Sequence, residues 1–278
     1  MADLNIDVAV ANVPMNEVIT QTSPTLLTRP TNHHDDVIMG LVDGETPVNK
    51  WGKMSGLGLT AVPVRPTVAV FNPLTDIITT AQTLTITYDN ATDGLGTTGA
   101  VTLIITYIGS DDLEATAYHT MGNTGSDVSL FTTKGVNRVV ALVNGAISNV
   151  NDITLTATID ATIQAVIPAG KGVTQQAIFH TEIGKTTIID TLFLNAQRVA
   201  GGGADPKVTF NIYSWSRVVN SRFDVFEFQL NTATNEHLDL DNLKLPFGGR
   251  EVIWVEAVSD KTDTFVASRF RGNQRLNP

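Results

Sequence analysis

Cysteine is absent from the 278-residue chain, tryptophan occurs three times, and charged side chains make up only 17% of it. Without thiols there can be no disulfide, thiolate metal site or cysteine nucleophile, so the fold must be held by burial and by subunit contacts. Positive charge is also scarce. Eighteen Lys and Arg against 28 Asp and Glu give a formal charge of −10 and a pI near 4.8, the wrong sign for a protein that grips phosphate backbones, so nucleic acid is excluded as a partner. No apolar run approaches the ~20 residues of a membrane-spanning helix. The start, Met1-Ala-Asp-Leu-Asn-Ile-Asp7, is acidic where a secretory signal would be basic. The expectation is a protein made in the cytoplasm with no membrane partner.

What the chain has in quantity is Thr, Val, Ile, Asn and Gly, within a 42% hydrophobic composition. That suits sheets and tight turns better than long solvated helices. Thr83-Leu-Thr-Ile-Thr-Tyr88 alternates, with Leu84, Ile86 and Tyr88 on one face, because successive strand side chains point to opposite sides of a sheet. Val101-Thr-Leu-Ile-Ile-Thr-Tyr107 follows after the glycine-rich Asp89–Gly99 stretch, and the two segments predict a β-hairpin. Further strand-like runs cover 114–119, 136–143, 153–159 and 163–167. A later series covers 176–181, 186–195, 208–215, 222–230, 238–245, 252–258 and 265–270.

The organisation expected is all-β, with an extended N-terminal arm followed by two antiparallel β-sandwich or jelly-roll-like domains. Seven of the eleven prolines fall within residues 1–73, where each removes a ladder donor and disfavours helix before it. That segment reads as an arm without its own core, with short possible elements at 16–20 and 67–71. Its aliphatic content points to a segment laid across a neighbour. Residues 74–167 read as the first sandwich, and the break at Pro168-Ala-Gly-Lys-Gly172 opens the second, residues 168–278. Trp215 and Trp254 are expected in the core, or at a subunit interface, of the second.

Several motifs imitate chemical sites. Gly184-Lys-Thr-Thr187 has the end of a phosphate loop, but Phe179 stands where the loop needs its first glycine and a strand-like run follows where a helix is needed, so a turn is expected. Gly201–Gly203 reads as a turn too. His33-His-Asp-Asp36 offers metal-ligand types, yet adjacent residues cannot all face one ion. His119, His180 and His237 are isolated singles with no triad pattern. Asp89–Gly94 and Asp239–Asn242 resemble calcium loops with ligand positions spoiled by Ala91 and Leu243. Asp111, Asp112 and Glu114 form a carboxylate cluster of the type glycosidases use. Arg269, Arg271 and Arg275 make a basic end, read either as a frayed terminus or as a dock for an acidic neighbour. No catalytic, cofactor-binding or metal-binding residue is assigned, no cofactor is expected, and the chain is read as not an enzyme.

Two stretches carry a resemblance: Gly99–Ala117, and Ile167-Pro-Ala-Gly-Lys-Gly-Val-Thr-Gln-Gln-Ala-Ile-Phe-His-Thr-Glu-Ile-Gly-Lys-Thr-Thr187. They are similar to a family of tailed-phage virion structural proteins of marine and cyanobacterial phages. The matching positions are Gly99, Asp111, Glu114, Gly172, Gln175, Ala177, Ile178, Phe179, Gly184, Lys185 and Thr186. Glu182-Ile183 departs from the proline-alanine usual there. The resemblance implies a non-enzymatic bacteriophage virion protein. The position preferred is a capsid decoration or cement protein, tying neighbouring subunits through the arm and self-associating through its β domains. A tail or neck accessory, or a receptor-binding fibre protein, is the alternative. Implied partners are other copies of the chain, by analogy a homotrimer, and the major capsid protein or tail and neck components.

Overall fold

The computed structural model describes residues 44–66, 76–198, 205–232 and 237–277. The chain divides into two compact units, Met1–Glu45 and Thr46–Pro278, and the fold described is that of the second. The expected elements at 16–20 and 67–71, His33–Asp36 and Gly201–Gly203 lie outside the described residues.

Among the described residues every regular element is a strand. Two come early, β1 (Glu45–Leu57) and β2 (Val62–Pro63). Eight follow: β3 (Leu84–Thr87), β4 (Thr102–Ile108), β5 (Glu114–Thr120), β6 (Ser126–Val128), β7 (Gly135–Val143), β8 (Ala146–Ile147), β9 (Ile153–Ala157) and β10 (Ile163–Ile167). The last eight are β11 (Ile178–His180), β12 (Lys185–Arg198), β13 (Lys207–Ser216), β14 (Ser221–Asn231), β15 (His237–Leu240), β16 (Leu245–Phe247), β17 (Glu251–Ser259) and β18 (Thr264–Leu276).

Four antiparallel sheets result. The orders β10-β9-β3-β6 and β5-β4-β7-β8 build one sandwich, whose inner faces meet around Leu84, Ile86, Leu103, Ile105, Val139 and Leu155. The orders β1-β18-β12-β15, with β16 on β12, and β11-β17-β13-β14, with β2 on β17, build the other. Its core includes Met54, Leu192, Phe210, Val255 and Phe270. The longest ladder runs from Lys185↔Leu276 to Arg198↔Thr264 between β12 and β18, with one bulge between Ile189 and Thr191.

Two sequence expectations fail here, each for a physical reason. The segments 83–88 and 101–107 do not pair as a hairpin: β3 pairs with β9 and β6, and β4 with β5 and β7. The connection is too long for a tight turn and instead crosses from one sheet to the facing one. It is pinned by Asp93, whose buried carboxylate accepts the Ala100 and Asn151 N–H groups, both at 2.8 Å, and that of Val150 at 3.0 Å. Residues 45–63, read as part of the arm, form β1 and β2. Val48, Lys50, Gly52 and Met54 alternate inward, but a lysine and a glycine at two of those four positions hide the apolar period from the sequence.

Candidate functional site

A polar seam joins the two sandwiches. Asn137, at an inward position of β7, has its side chain placed like a strand partner for β11: its Oδ1 accepts the His180 N–H at 2.7 Å and its Nδ2 donates to the His180 carbonyl at 2.9 Å. The same Nδ2 donates to Glu114 Oε2 at 2.7 Å. Beside it Asp112, held at φ 64° in the β4–β5 turn, faces Lys134 at 2.8 Å and Arg250 at 2.9 Å. Its carbonyl accepts the Ile183 N–H at 2.9 Å. The Arg217 Nη2 group donates to the Lys134 carbonyl at 2.7 Å and to His180 Nδ1 at 2.8 Å. A guanidinium only donates, so Nδ1 is the acceptor and the imidazole is neutral. Burial, then the charges of Arg217 and Lys50, hold His180 well below the ordinary histidine range. Burial lowers Arg217 to about 10, against the opposing pull of Asp112, and its buried Nε and Nη1 have no hydrogen-bond partner among the described residues. His180 also lies over Gly135, where a Cβ would come within 2.2 Å of Nδ1, so only glycine lets the ring sit there.

Alongside the seam a cavity of about 200 Å³ is lined by Asn49, Lys50, Trp51, Arg138, Thr174 and Gln176, together with Val173. Lys50 enters it from β1 and is 8% exposed. Its ammonium lies 5.7 Å from the Phe179 ring centroid and has no hydrogen bond or ion pair among the described residues. Burial lowers Lys50 to about 7; Glu114 raises it and Arg138 lowers it. Arg138 is exposed and likewise has no ion pair among the described residues. The neutral groups are partly committed. Asn49 Oδ1 accepts Arg269 Nε–H at 3.0 Å, Thr174 Oγ1 accepts the Val139 N–H at 3.3 Å, and Gln176 Nε2 donates to the Val136 and Gln164 carbonyls. What remains is an uncompensated buried ammonium with a guanidinium at the mouth, an arrangement suited to receiving an anion.

The motifs singled out from sequence serve the framework. Gly184 occupies a turn at φ 75° and Lys185 pairs with Glu182 at 2.8 Å as β12 begins. Asp89 accepts the Ala91 N–H and the Asn151 side chain, closing the first calcium-like loop on itself. Asp111, Asp112 and Glu114 point to three different partners, namely the Leu113 N–H, two cations, and Asn137. His119 lies 3.4 Å from Asp127, and His237 stacks on Phe193. No group of three metal-ligand side chains converges among the described residues. Arg269, Arg271 and Arg275 are not frayed: each is paired in β18 against β12. Trp215 and Trp254 are buried with Tyr213, Ile178 and Val252, and Trp254 Nε1 donates to Glu256 at 2.9 Å. Sequence reasoning missed Lys50, Asn137, Arg138 and Arg217. None of the four carried a local signal, since Lys50 itself breaks the apolar alternation that would have marked β1 as a strand.

No family model matches the chain, and no curated protein matches it. Among solved structures it is similar to a chain in the cryo-EM structure of broad bean stain virus, at 11% identity over 78% of this chain and 90% of that one, with a TM-score of 0.17. It is also similar to the VP2 subviral particle of infectious bursal disease virus, at 10% identity over 87% and 76%, with a TM-score of 0.22. The Gx strain of the same virus gives 8% identity over 84% and 76%, with a TM-score of 0.18. At such scores nothing about this protein's role follows from these likenesses.

Proposed function

We propose that the protein is a non-enzymatic structural component of a virus particle. The observation that carries the mechanical part of this reading is the use made of the chain's reactive side chains. Asp93, Asp112, Glu114, Asn137, His180 and Arg217 are engaged in bracing loops and joining the two sandwiches. A side chain locked as a brace is an unsuitable acid, base or nucleophile, and suits a part that must keep its shape under load. The virion part of the reading is supported by the sequence resemblance across Gly99–Ala117 and Ile167–Thr187. Within it, a capsid decoration or cement role is the finer proposal, with residues 1–44 reaching neighbouring subunits and the sandwiches meeting other copies.

The test is the amount of this chain in purified particles, measured on stained gels against the major shell protein. A stoichiometry comparable to the shell protein supports the decoration role. A tail-scale amount moves the protein to the neck or fibre, and its absence from particles overturns the proposal.

A further inference from the structure

We infer that the cavity between β1 and β7 is a binding socket for a carboxylate, held by Lys50 within and Arg138 at the mouth. The inference stands apart from the virion reading, because it rests on the geometry of this cavity alone.

Three observations carry it. Lys50, more than nine-tenths buried, lines the cavity, and its ammonium has no hydrogen bond or ion pair among the described residues, although an unpaired buried cation is among the costliest groups a fold can hold. Arg138, also without an ion pair there, opens on the same space. Its planar fork matches the two oxygens of a carboxylate. The third is the local charge. Glu114, Arg138 and the neutral His180 are the titratable groups that act on Lys50 or that it acts on, and Arg217 donates to His180. Two cations against one carboxylate leave a single positive charge, which fits a monoanion better than a phosphate dianion. The volume of about 200 Å³ admits a small acid or the end of one Asp or Glu side chain. Trp51, at 37% exposure, is a half-open indole at the edge, the type of residue that anchors protein contacts.

The chemistry requires Lys50 to be protonated on binding. Since its free value is about 7, a bound carboxylate holds the proton on, and affinity falls about tenfold per pH unit above neutrality as the ammonium fraction falls.

The full-length protein is titrated calorimetrically with sodium acetate at constant ionic strength, at pH 6 and pH 8.5, with chloride as the control anion. Saturable acetate binding at pH 6 is expected, weakened at least tenfold at pH 8.5, abolished in Lys50→Met and weakened about tenfold in Arg138→Gln. A glutamate-containing hexapeptide with blocked ends is titrated in parallel. Binding tighter than acetate assigns the carboxylate to a neighbouring protein chain; equal or weaker binding assigns it to a free small acid. The inference is overturned if acetate and chloride behave alike in the wild type, or if Lys50→Met binds acetate as the wild type does. Arg138→Gln alters an exposed side chain and folds regardless, so the result can be read even if Lys50→Met does not fold.

Discussion

Burying Lys50 on the inner face of β1 takes its ammonium out of water without an ion pair among the described residues, Glu114 offsetting only part of the loss, and the fold bears that cost in its proton affinity. The group falls from 10.5 to about 7. Between those values the unfolded chain binds a proton that the folded chain has released, so the Lys50 contribution to stability rises with pH from about 7 to 10.5 and is flat outside that window. Two outcomes are expected from chemical denaturation of wild type and Lys50→Met. At pH 6 the variant is more stable by about 2 kcal/mol or more, each pKa unit being worth about 1.4 kcal/mol at full burial. Between pH 8 and 10 the wild type gains on the variant at up to about 1.4 kcal/mol per pH unit, the slope of one released proton. A variant less stable than wild type at pH 6 would mean that the ammonium is compensated within the fold. A residue retained at such a cost fits a binding role better than a structural one.

At the scale of elements, β1 depends on a glycine as well as on its apolar residues. Gly52 faces inward where the backbones of residues 64 and 177 pass beneath it, and an added Cβ would lie 2.0 Å from the Val64 carbonyl oxygen and 2.6 Å from the Ala177 nitrogen. Backbone cannot swing aside as a side chain can, so Gly52→Ala is expected to cost about 3 kcal/mol in equilibrium unfolding. Gly58→Ala, with nothing within 4 Å, is expected to stay within about 0.5 kcal/mol of wild type. Equal effects of the two would remove the close approach from the account of β1. The same strand shows where reading a sequence stops. β4 and β9 are legible because apolar residues alternate with polar ones, as with Ile153, Leu155 and Ala157 against Thr154 and Thr156. β1 is not, because its inward set includes Lys50 and Gly52. Pairing is harder still. The 83–107 stretch looks like one hairpin, yet its two strands enter opposite sheets, a choice made by closure of the core and by Asp93 reaching forward to Val150 and Asn151. The cavity was illegible for the same reason. Lys50 and Arg138 belong to strands of different sandwiches, and nothing local in either sequence announces the other.

Over the whole described unit, the two sandwich cores and a smaller cluster around Trp215 and Trp254 are separate, and the early strands belong to only one of the two cores. Val48, Met54, Leu57, Val62 and Val64 are all buried in the cluster shared with β12, β13, β17 and β18, whereas the cluster of the other sandwich is drawn from residues 84–167. Five buried aliphatic side chains at roughly 1.5 to 3 kcal/mol each represent on the order of 10 kcal/mol, comparable to the whole stability of an ordinary domain. Deleting residues 1–43 is therefore expected to leave the far-ultraviolet dichroism and the melting transition of the sandwiches in place. Deleting residues 1–65 removes β1 and β2, exposes the hydrogen-bonding edge of β18 and takes Lys50 out of the cavity. The sandwich built on β12 and β18 should then lose its near-ultraviolet tryptophan signal, because Trp215 and Trp254 stand on β13 and β17, on the opposite face of the strands whose Phe210, Ile212, Ile253 and Val255 fill the weakened core. The sandwich of residues 84–167 retains its own core and gives a residual transition of smaller enthalpy. Calorimetry of the two truncations separates the outcomes. If the 1–65 deletion melts as the full chain does, the early strands are not part of that core and the arm extends further along the chain than residue 44.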